Sequence, residues 1–282
     1  MDNYLIDTGL YGPKRTAAYL LLREGKATIF DTGARSSVPA ILARMQELGV
    51  LPEDVTQIVL SHVHLDHAGG AGALMEVCPN ATLIVHPRGA RHMIDPSKLE
   101  ASARQVYGDQ AFEGIFGSLV PVPAERVRVV EDREEIGPFK FYDSPGHAYH
   151  HFVMHDRDTN ELFAGDAFGL AYPEFAFAMP STSPTQFDPE AALATYESIM
   201  ALNPSRIAIA HFGYVQIELS RHHLMLKLGI EEHVSVAREF HEANLIETAL
   251  LDRAPKECKS VLALDIHMNA LGLAHWVTQA PR

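Results

Sequence analysis

The chain has 282 residues and a formal net charge of −13, with 23 Lys and Arg against 36 Asp and Glu and no basic run. A nucleic-acid surface needs a positive stripe to neutralise phosphates, so this composition argues against a nucleic-acid partner. No apolar stretch reaches the length of a membrane span and the first residues lack the pattern of a signal peptide, which predicts a globular cytoplasmic protein without a membrane partner.

Short apolar, β-branched runs alternate with helical patterns through most of the chain, which predicts an α/β fold. A helix is predicted over 36–50, entered through a serine cap and with Ile41, Met45 and Leu48 on one face. Residues 95–124 mix a helical pattern with Gly and Pro, which indicates an inserted cap. The first buried strands are predicted at 27–33, 55–62 and 81–87.

The second half begins with extended runs, two of which form a predicted β-hairpin. The run "HHFVMHD" is joined to "ELFAGDAFG" by the turn "RDTN". A helix is predicted over 188–202, with Asp188 as its N-terminal cap and Pro189 in its first position. One more buried strand follows in "RIAIAHFG". From about residue 215 the pattern is helical to the end, with an apolar face predicted at Ile217, Leu224 and Leu228.

The stretch "HVHLDH" contains three histidines and one aspartate directly after a predicted strand. Side chains two residues apart on an extended chain point to the same side, so His62 and His64 can reach one metal ion together. Asp66 and His67 come where the chain turns into a helix, and they are expected to face elsewhere. One short loop can therefore supply ligands to two neighbouring ions. Imidazole and carboxylate ligands suit zinc, iron or manganese.

Three later motifs extend this pattern, namely "SPGHAYHH" with His147, "LFAGDAFG" with Asp166 and "AIAHFGY" with His211. Together with an early "DTG" they resemble the metallo-β-lactamase superfamily, and the resemblance spans residues 16 to about 214. It implies a four-layered αββα sandwich with a helical C-terminal extension. Residues 1–214 would form the catalytic domain, and residues 215–282 would form a helical cap packed on the same domain.

The resemblance implies a centre of two divalent metal ions, with zinc expected and iron or manganese as alternatives. The ligands of the first ion would be His62, His64 and His147. The ligands of the second would be Asp66, His67 and His211, and the carboxylate of Asp166 would bridge the two ions. Behind these ligands, Asp31 and His151 are expected to orient them.

The expected reaction is the hydrolysis of a thioester or carboxylic ester by a hydroxide that bridges the two ions. Asp66 and Asp166 are the candidate catalytic carboxylates, and Asp66 is the nearest candidate to protonate a leaving group. The alternatives are a lactonase or phosphodiesterase of the same fold, or a regulatory or ligand-binding protein that retains metal with little turnover.

Family members that carry other residues at these positions narrow the choice of reaction and substrate. True β-lactamases typically carry Cys or Ser at the position of Asp166, and the flavo-diiron proteins usually carry Glu at the position of His64. Thioesterases of the glyoxalase II type share the full ligand set, but the basic glutathione-binding pattern that they carry after the last histidine is absent after His211. Several acyl-homoserine lactonases carry Tyr where this chain has Gly169.

A loop rich in aromatic residues is predicted between Asp166 and the helix at 188, and long loops in compact domains are often functional. Its side chains are expected to line an apolar pocket beside the metals or else to pack beneath the C-terminal helices. The pocket would take a small-molecule substrate with a hydrophobic acyl part. The apolar C-terminal helices suggest a homodimer as one alternative. The candidate pocket residues are Phe168, Tyr172, Phe175, Phe177 and Met179.

Overall fold

A computed structural model describes residues 2–182 and 185–279, which form two compact units. The first unit comprises Met1–Asp143, His150–Gly165 and Ser205–Tyr214. The second unit comprises Ser144–Tyr149, Asp166–Pro204 and Val215–Arg282.

The first sheet belongs to the first unit and has six strands in the order β1-β2-β3-β4-β5-β6. Strands β1 to β3 are antiparallel and β3 to β6 are parallel. The three strands predicted in the first hundred residues are confirmed as β3, β4 and β5. The bounds are β1 (Asp2–Asp7), β2 (Ala17–Arg23), β3 (Lys26–Phe30), β4 (Val55–Val59), β5 (Thr82–Val85) and β6 (Val127–Val129).

The second sheet also has six strands, in the order β12-β11-β10-β9-β8-β7. The predicted hairpin is confirmed, because β9 and β10 pair antiparallel. Strand β10 begins in the first unit, and its last five residues belong to the second. The bounds are β7 (Glu135–Ile136), β8 (Phe139–Asp143), β9 (Phe152–Asp156), β10 (Glu161–Leu170), β11 (Arg206–His211) and β12 (Gly213–Tyr214).

Aromatic side chains join the two sheets within the first unit. The ring of Phe163 lies 5.3 Å from that of Tyr19 and 5.5 Å from that of Phe30, measured between centroids. The Tyr19 hydroxyl donates a hydrogen bond of 2.6 Å to the carbonyl oxygen of Ile209, which satisfies the polar end of a buried ring. The two sheets are therefore fixed face to face by directional contacts, and their strand ends carry the site described below.

The helices of the first unit include the connections between the parallel strands. The predicted insertion is helical, and its Phe112 and Phe116 are buried in a small apolar cluster with Leu65. Because Leu65 lies between two predicted ligands, this cluster supports the loop that carries them. The bounds are α1 (Val38–Glu47), α2 (Leu65–Ala68), α3 (Ala71–Val77), α4 (Pro87–Ile94), α5 (Ser97–Tyr107) and α6 (Asp109–Ile115).

The second unit contains α7 (Pro189–Ala201), α8 (Leu219–Phe240), α9 (Ala243–Arg253) and α10 (Lys259–Gln279). The predicted cap of α7 is confirmed, because an Asp188 carboxylate oxygen accepts hydrogen bonds from the backbone N–H groups of Glu190 and Ala191. The C-terminal region is helical as expected. None of the helices within 2–182 and 185–279 is long and apolar enough to cross a bilayer.

The predicted apolar face of the C-terminal region is wrong. Leu224 and Leu228 are 55% and 54% exposed on α8. A pattern built on aliphatic residues alone misses the true buried stripe, since two histidines contribute to it. The buried residues of α8 are His222, Leu226, Ile230, His233, Val236 and Ala237.

The α/β class with a helical C-terminal extension is confirmed by this architecture. The domain boundary after residue 214 stays a prediction. In the structure, the residues from Val215 onward form one compact unit together with Ser144–Tyr149 and Asp166–Pro204, and not by themselves.

Candidate metal centre

The "HVHLDH" loop of the first unit gathers its three imidazoles at the end of β4. His62 is fully buried, and its ring centroid lies 4.5 Å from that of His64 and 4.2 Å from that of His67. His64 has extended backbone immediately before α2, as the sequence predicted. Because the chain turns into a helix directly after His64, His67 folds back beside His62. The loop therefore concentrates nitrogen ligands in one place.

Asp66, His67 and His211 form a compact set of potential metal ligands in the same unit. One ligand atom from each lies within 4.8 Å of those of the other two. The Oδ2 atom of Asp66 lies 3.4 Å from His67 Nε2 and 3.5 Å from His211 Nε2. His211 reaches this position because it is the last residue of β11. The chain thus brings a loop residue and a strand end more than a hundred positions apart to one carboxylate.

The contacts of the Nδ1 atoms of His67 and His211 indicate that each Nε2 atom directs its lone pair at the Asp66 carboxylate. His211 Nδ1 lies 3.0 Å from the carbonyl oxygen of Arg15, which can only accept a hydrogen bond. His67 Nδ1 lies 3.3 Å from the Oδ2 atom of Asp31. With both Nδ1 atoms donating, each Nε2 atom is an acceptor aimed at the acceptor oxygen of Asp66. An arrangement of acceptors around one point fits a shared cation.

The Asp66 carboxyl is held in its ionised form. Burial alone would raise its pKa, but His67 and His211, when protonated and donating to it, hold it well below its usual range. A shared cation would take over this role when both imidazoles are neutral. Asp66 is therefore a charged oxygen ligand at neutral pH, and in that form it cannot donate a proton.

Asp31 ties the ligand loop to the end of β3. Its carboxylate accepts hydrogen bonds of 2.8 Å from the backbone N–H of Ser61 and 2.9 Å from the Ser61 hydroxyl, in addition to its contact with His67. Its backbone lies in the left-handed region, with φ of 58°, which is uncommon for a residue other than Gly. Burial raises the pKa of this carboxyl, and the bonds from His67 and Ser61 oppose the rise. The orienting role of Asp31 stays a prediction.

Two further histidines pack on the loop within the first unit. The ring of His151 is stacked 4.8 Å from that of His62, and its role behind the ligands stays a prediction. His150, to which no site role was assigned from the sequence, is also buried, and its ring lies 5.5 Å from that of His64. Its Nδ1 atom accepts a hydrogen bond of 3.4 Å from the backbone N–H of Val63. The sequence feature that could have indicated His150 is its position next to His151 in the motif "SPGHAYHH".

The second unit holds the two remaining predicted ligands. His147 Nε2 lies 3.5 Å from the Oδ2 atom of Asp166, and both residues are buried. Ser181 contacts both of them, since its carbonyl oxygen lies 3.2 Å from His147 Nδ1 and its hydroxyl donates a bond of 3.2 Å to Asp166. Ser181 lies in no recognisable motif, so only the fold reveals it. The turn needs Gly146, because a Cβ there would lie 2.4 Å from the Cα of Ala192.

Tyr107 at the end of α5 is a residue near the site that the sequence did not indicate. Its ring lies 5.1 Å from that of Phe116. Burial raises the pKa of its phenol, and the charge of Asp66 raises it further. The hydroxyl therefore stays protonated and can donate a hydrogen bond.

The predicted pocket residues lie in the second unit in different environments. Phe168 is buried with its ring 4.9 Å from that of His222, and Tyr172 donates a hydrogen bond of 3.1 Å to Asp265. Phe175 is half-buried. Phe177 and Met179 line a cavity of about 340 Å³, to which Phe168, Tyr172 and Phe175 do not contribute. Their role in binding an acyl group stays a prediction.

Comparisons with known proteins agree with this fold. Residues 11–211 match the family model of the metallo-beta-lactamase superfamily. The metallo-beta-lactamase fold-containing protein ST1585 of Sulfurisphaera tokodaii is 28% identical over 228 residues, which cover 78% of this chain and 81% of the relative.

Solved structures show the same architecture. A crystal structure of ST1585 from Sulfolobus tokodaii matches with a TM-score of 0.68 at 23% identity, covering 96% of this chain and 97% of that one. The metallo-beta-lactamase family protein TTHA1429 from Thermus thermophilus matches with a TM-score of 0.70 at 20% identity, covering 98% and 93%. TTHA1623 in a di-iron-bound form matches with a TM-score of 0.59 at 23% identity, covering 78% and 98%. At these identities the likeness establishes the fold alone. TTHA1623, which shares this fold, was solved in a di-iron-bound form.

Proposed function

Because the chain belongs to the metallo-β-lactamase superfamily and its motifs resemble the ligand pattern of the dinuclear members, we propose that it is a metal-dependent hydrolase of thioesters or carboxylic esters. The observation that carries this proposal is the cluster of Asp66, His67 and His211, in which two imidazole acceptors face one ionised carboxylate. Such a cluster is costly without a cation, since the buried imidazoles of His67 and His211 have little water to satisfy their acceptor atoms.

We assign seven residues to two metal positions, as the family pattern implies. His62, His64 and His147 would hold one ion, Asp66, His67 and His211 would hold the other, and Asp166 would bridge them. Zinc is the proposed metal, with iron and manganese as alternatives, because a site without thiolates selects weakly among these ions.

Observations inside each unit support this assignment. In the first unit, a Cβ at Gly165 would lie 2.5 Å from the Cβ of Ser61, directly beside His62. Asp166 is the next residue along the chain. In the second unit, His147 lies beside Asp166.

Two divalent ions, when bound, lower the pKa of water and polarise an acyl oxygen. The residues of the chain then decide which leaving group is favoured. Asp66 is held ionised by His67 and His211, so it is a poor general acid. A thiolate leaves without protonation because the pKa of a thiol is about 8.5, whereas an alkoxide needs a donor. The site therefore favours a thioester. For an ester, the protonated Tyr107 phenol is the candidate donor.

The proposal is tested by elemental analysis of protein purified without chelators or metal-affinity steps, combined with turnover of aryl esters and thioesters. Wild type is expected to hold about two ions per chain and to turn over. Asp166→Ala should lose metal and turnover together. Asp158→Ala is the control, since this exposed aspartate lies outside all four motifs.

Each other outcome has a definite meaning. Absence of bound metal after reconstitution would overturn the proposal. Two ions without turnover would favour a regulatory or ligand-binding role. Preferential turnover of a lactone or of bis-p-nitrophenyl phosphate would keep the metal centre and change the substrate class.

A further inference from the structure

The second unit contains a cavity lined largely by apolar side chains. It has a volume of about 340 Å³ and lies among α8, α9, α10 and the segment that follows β10. Its apolar lining includes Phe177, Met179, Met225, Leu250 and Ile266. Protein interiors are close-packed, and cavities above roughly 300 Å³ are typical of small-molecule sites. None of the seven proposed metal ligands lines it.

One buried polar group lines this cavity. His233 on α8 is only 3% exposed, and its Nδ1 atom has no hydrogen-bond partner within the described part of the chain. Burial lowers the pKa of His233 to about 4, so the imidazole is neutral at physiological pH. A buried polar atom without a partner costs free energy, and a ligand that supplies the missing bond removes that cost.

The charged groups that line the cavity cancel each other. Glu232 and Arg253 lie 3.6 Å apart, from Oε1 to Nε, and both are partly exposed. Arg253 also donates a hydrogen bond of 3.0 Å to the carbonyl oxygen of Ala249. With this ion pair and a neutral His233, the cavity offers no net charge to compensate an ion. An uncharged ligand is therefore favoured.

A close approach of the backbone closes the cavity on one side. A Cβ at Gly229 would lie 2.6 Å from the Cδ atom of Pro180, and both residues line the cavity. Pro180 is held in place because Asn269 donates a hydrogen bond of 2.9 Å to its carbonyl oxygen. The wall at Gly229 and Pro180 is thus fixed by the fold. The lining also includes the exposed Leu228, so the cavity is accessible from solvent.

We propose that this cavity binds an uncharged apolar alcohol whose hydroxyl pairs with the imidazole of His233. A hydroxyl both donates and accepts, so it can pair with either tautomer of a neutral imidazole, whereas a carbonyl or ether pairs with only one. The apolar remainder of the ligand fills the space among the Met, Leu, Ile and Phe side chains. This site is a second ligand site and does not depend on the metal centre.

The test is binding of 1-octanol to the full chain by ligand-observed NMR, compared with 1-chlorooctane, which has similar shape but no hydroxyl. Wild type should bind 1-octanol saturably at one site and about tenfold more tightly than 1-chlorooctane. His233→Phe should abolish this preference while both probes still bind.

A second variant tests the location without touching the imidazole. Ala254 lines the cavity at the end of α9, and Ala254→Phe should fill it and abolish binding of both probes. Leu245→Phe on the same helix is the matched control, because Leu245 is 43% exposed and does not line the cavity.

Three results would overturn the proposal. The first is no saturable binding of 1-octanol by wild type, and the second is equal affinity for the two probes. The third is unchanged binding by a folded Ala254→Phe variant. Metal content and ester turnover test the proposed function separately, so failure of one proposal leaves the other distinguishable.

Discussion

Acid should destabilise the second unit through buried His233. Burial alone lowers the pKa of this imidazole from 6.5 to about 4 in the folded chain. The unfolded chain therefore binds a proton first as the pH falls. The stability contributed by the neutral form is fully present above pH 6.5 and is lost as the pH falls toward 4. The sign is opposite to that of a histidine that gains an acidic partner on folding.

The magnitude follows from the two pKa values. Each pH unit between them costs about 1.4 kcal/mol of unfolding free energy for one proton. At pH 5 the loss relative to pH 8 is about 2 kcal/mol, and below pH 4 it approaches about 3.4 kcal/mol. His222 is a second contributor of the same sign, because burial also lowers its pKa to about 4. Its Nε2 atom keeps a contact of 3.1 Å with the carbonyl oxygen of Phe168, which favours the protonated form and moderates the shift.

The chain provides its own reporter for this unit. Trp276 is the single tryptophan, and its ring lies 6.1 Å from that of Phe187 and within 5.7 Å of the Arg238 guanidinium. Denaturant unfolding followed by its fluorescence at pH 8 and pH 5 gives the loss of stability for wild type and for His233→Leu. The loss should be about 2 kcal/mol smaller in the variant. His275→Leu on α10 controls for removal of an imidazole that is not fully buried.

The test compares the loss of stability between pH 8 and pH 5 in wild type with the loss in each variant. The same loss between pH 8 and pH 5 in wild type and His233→Leu would refute the argument, because a neutral buried imidazole must contribute to this difference. A smaller loss in His275→Leu than in His233→Leu would show that exposure does not determine the effect, which contradicts the same reasoning.

Two further predictions concern the metal centre and its support. Asp31→Asn should weaken metal retention about 10- to 100-fold in competition with a chelator, because it removes the carboxylate that orients His67, while folding measured by circular dichroism is retained. Gly165→Ala should lower the unfolding free energy by several kcal/mol, because its φ is 51° and the added Cβ would lie 2.5 Å from that of Ser61. Gly25→Ala, with φ of 75° and no neighbour within 4 Å, should cost only about 1 kcal/mol in the same denaturant titration.

The strands and the ligand loop were predictable because local pattern and tertiary environment agree there. The strand that precedes His62 is short and rich in β-branched residues, three of its five residues are buried, and the spacing of His62 and His64 on extended chain is a local property. The cap of α7 was predictable for the same reason, since Asp188 bonds to its own helix. The predicted serine cap of the helix at 36–50 is different. Ser37 precedes α1, but its side chain makes no capping bond.

The buried face of α8 could not be found by the same reasoning. Its stripe contains His222 and His233, which a hydropathy pattern assigns to solvent. These two positions are buried because the surrounding elements pack against that side of α8. Leu224 and Leu228 lie on the other side of the helix and are exposed. The unusual feature of this helix is therefore its buried imidazoles, one of which lines the cavity.

The acceptors that fix the imidazole tautomers also lie outside the motifs. His211 faces the carbonyl oxygen of Arg15 in the first unit, and His147 faces the carbonyl oxygen of Ser181 in the second. Because every residue has a backbone carbonyl, no residue type could have indicated these partners. They nevertheless determine which nitrogen keeps its lone pair, and so whether each histidine can act as a neutral ligand. Replacing Arg15 or Ser181 by Ala would retain the carbonyl. The motif supplies the ligands, and the fold makes them competent by holding backbone acceptors behind them.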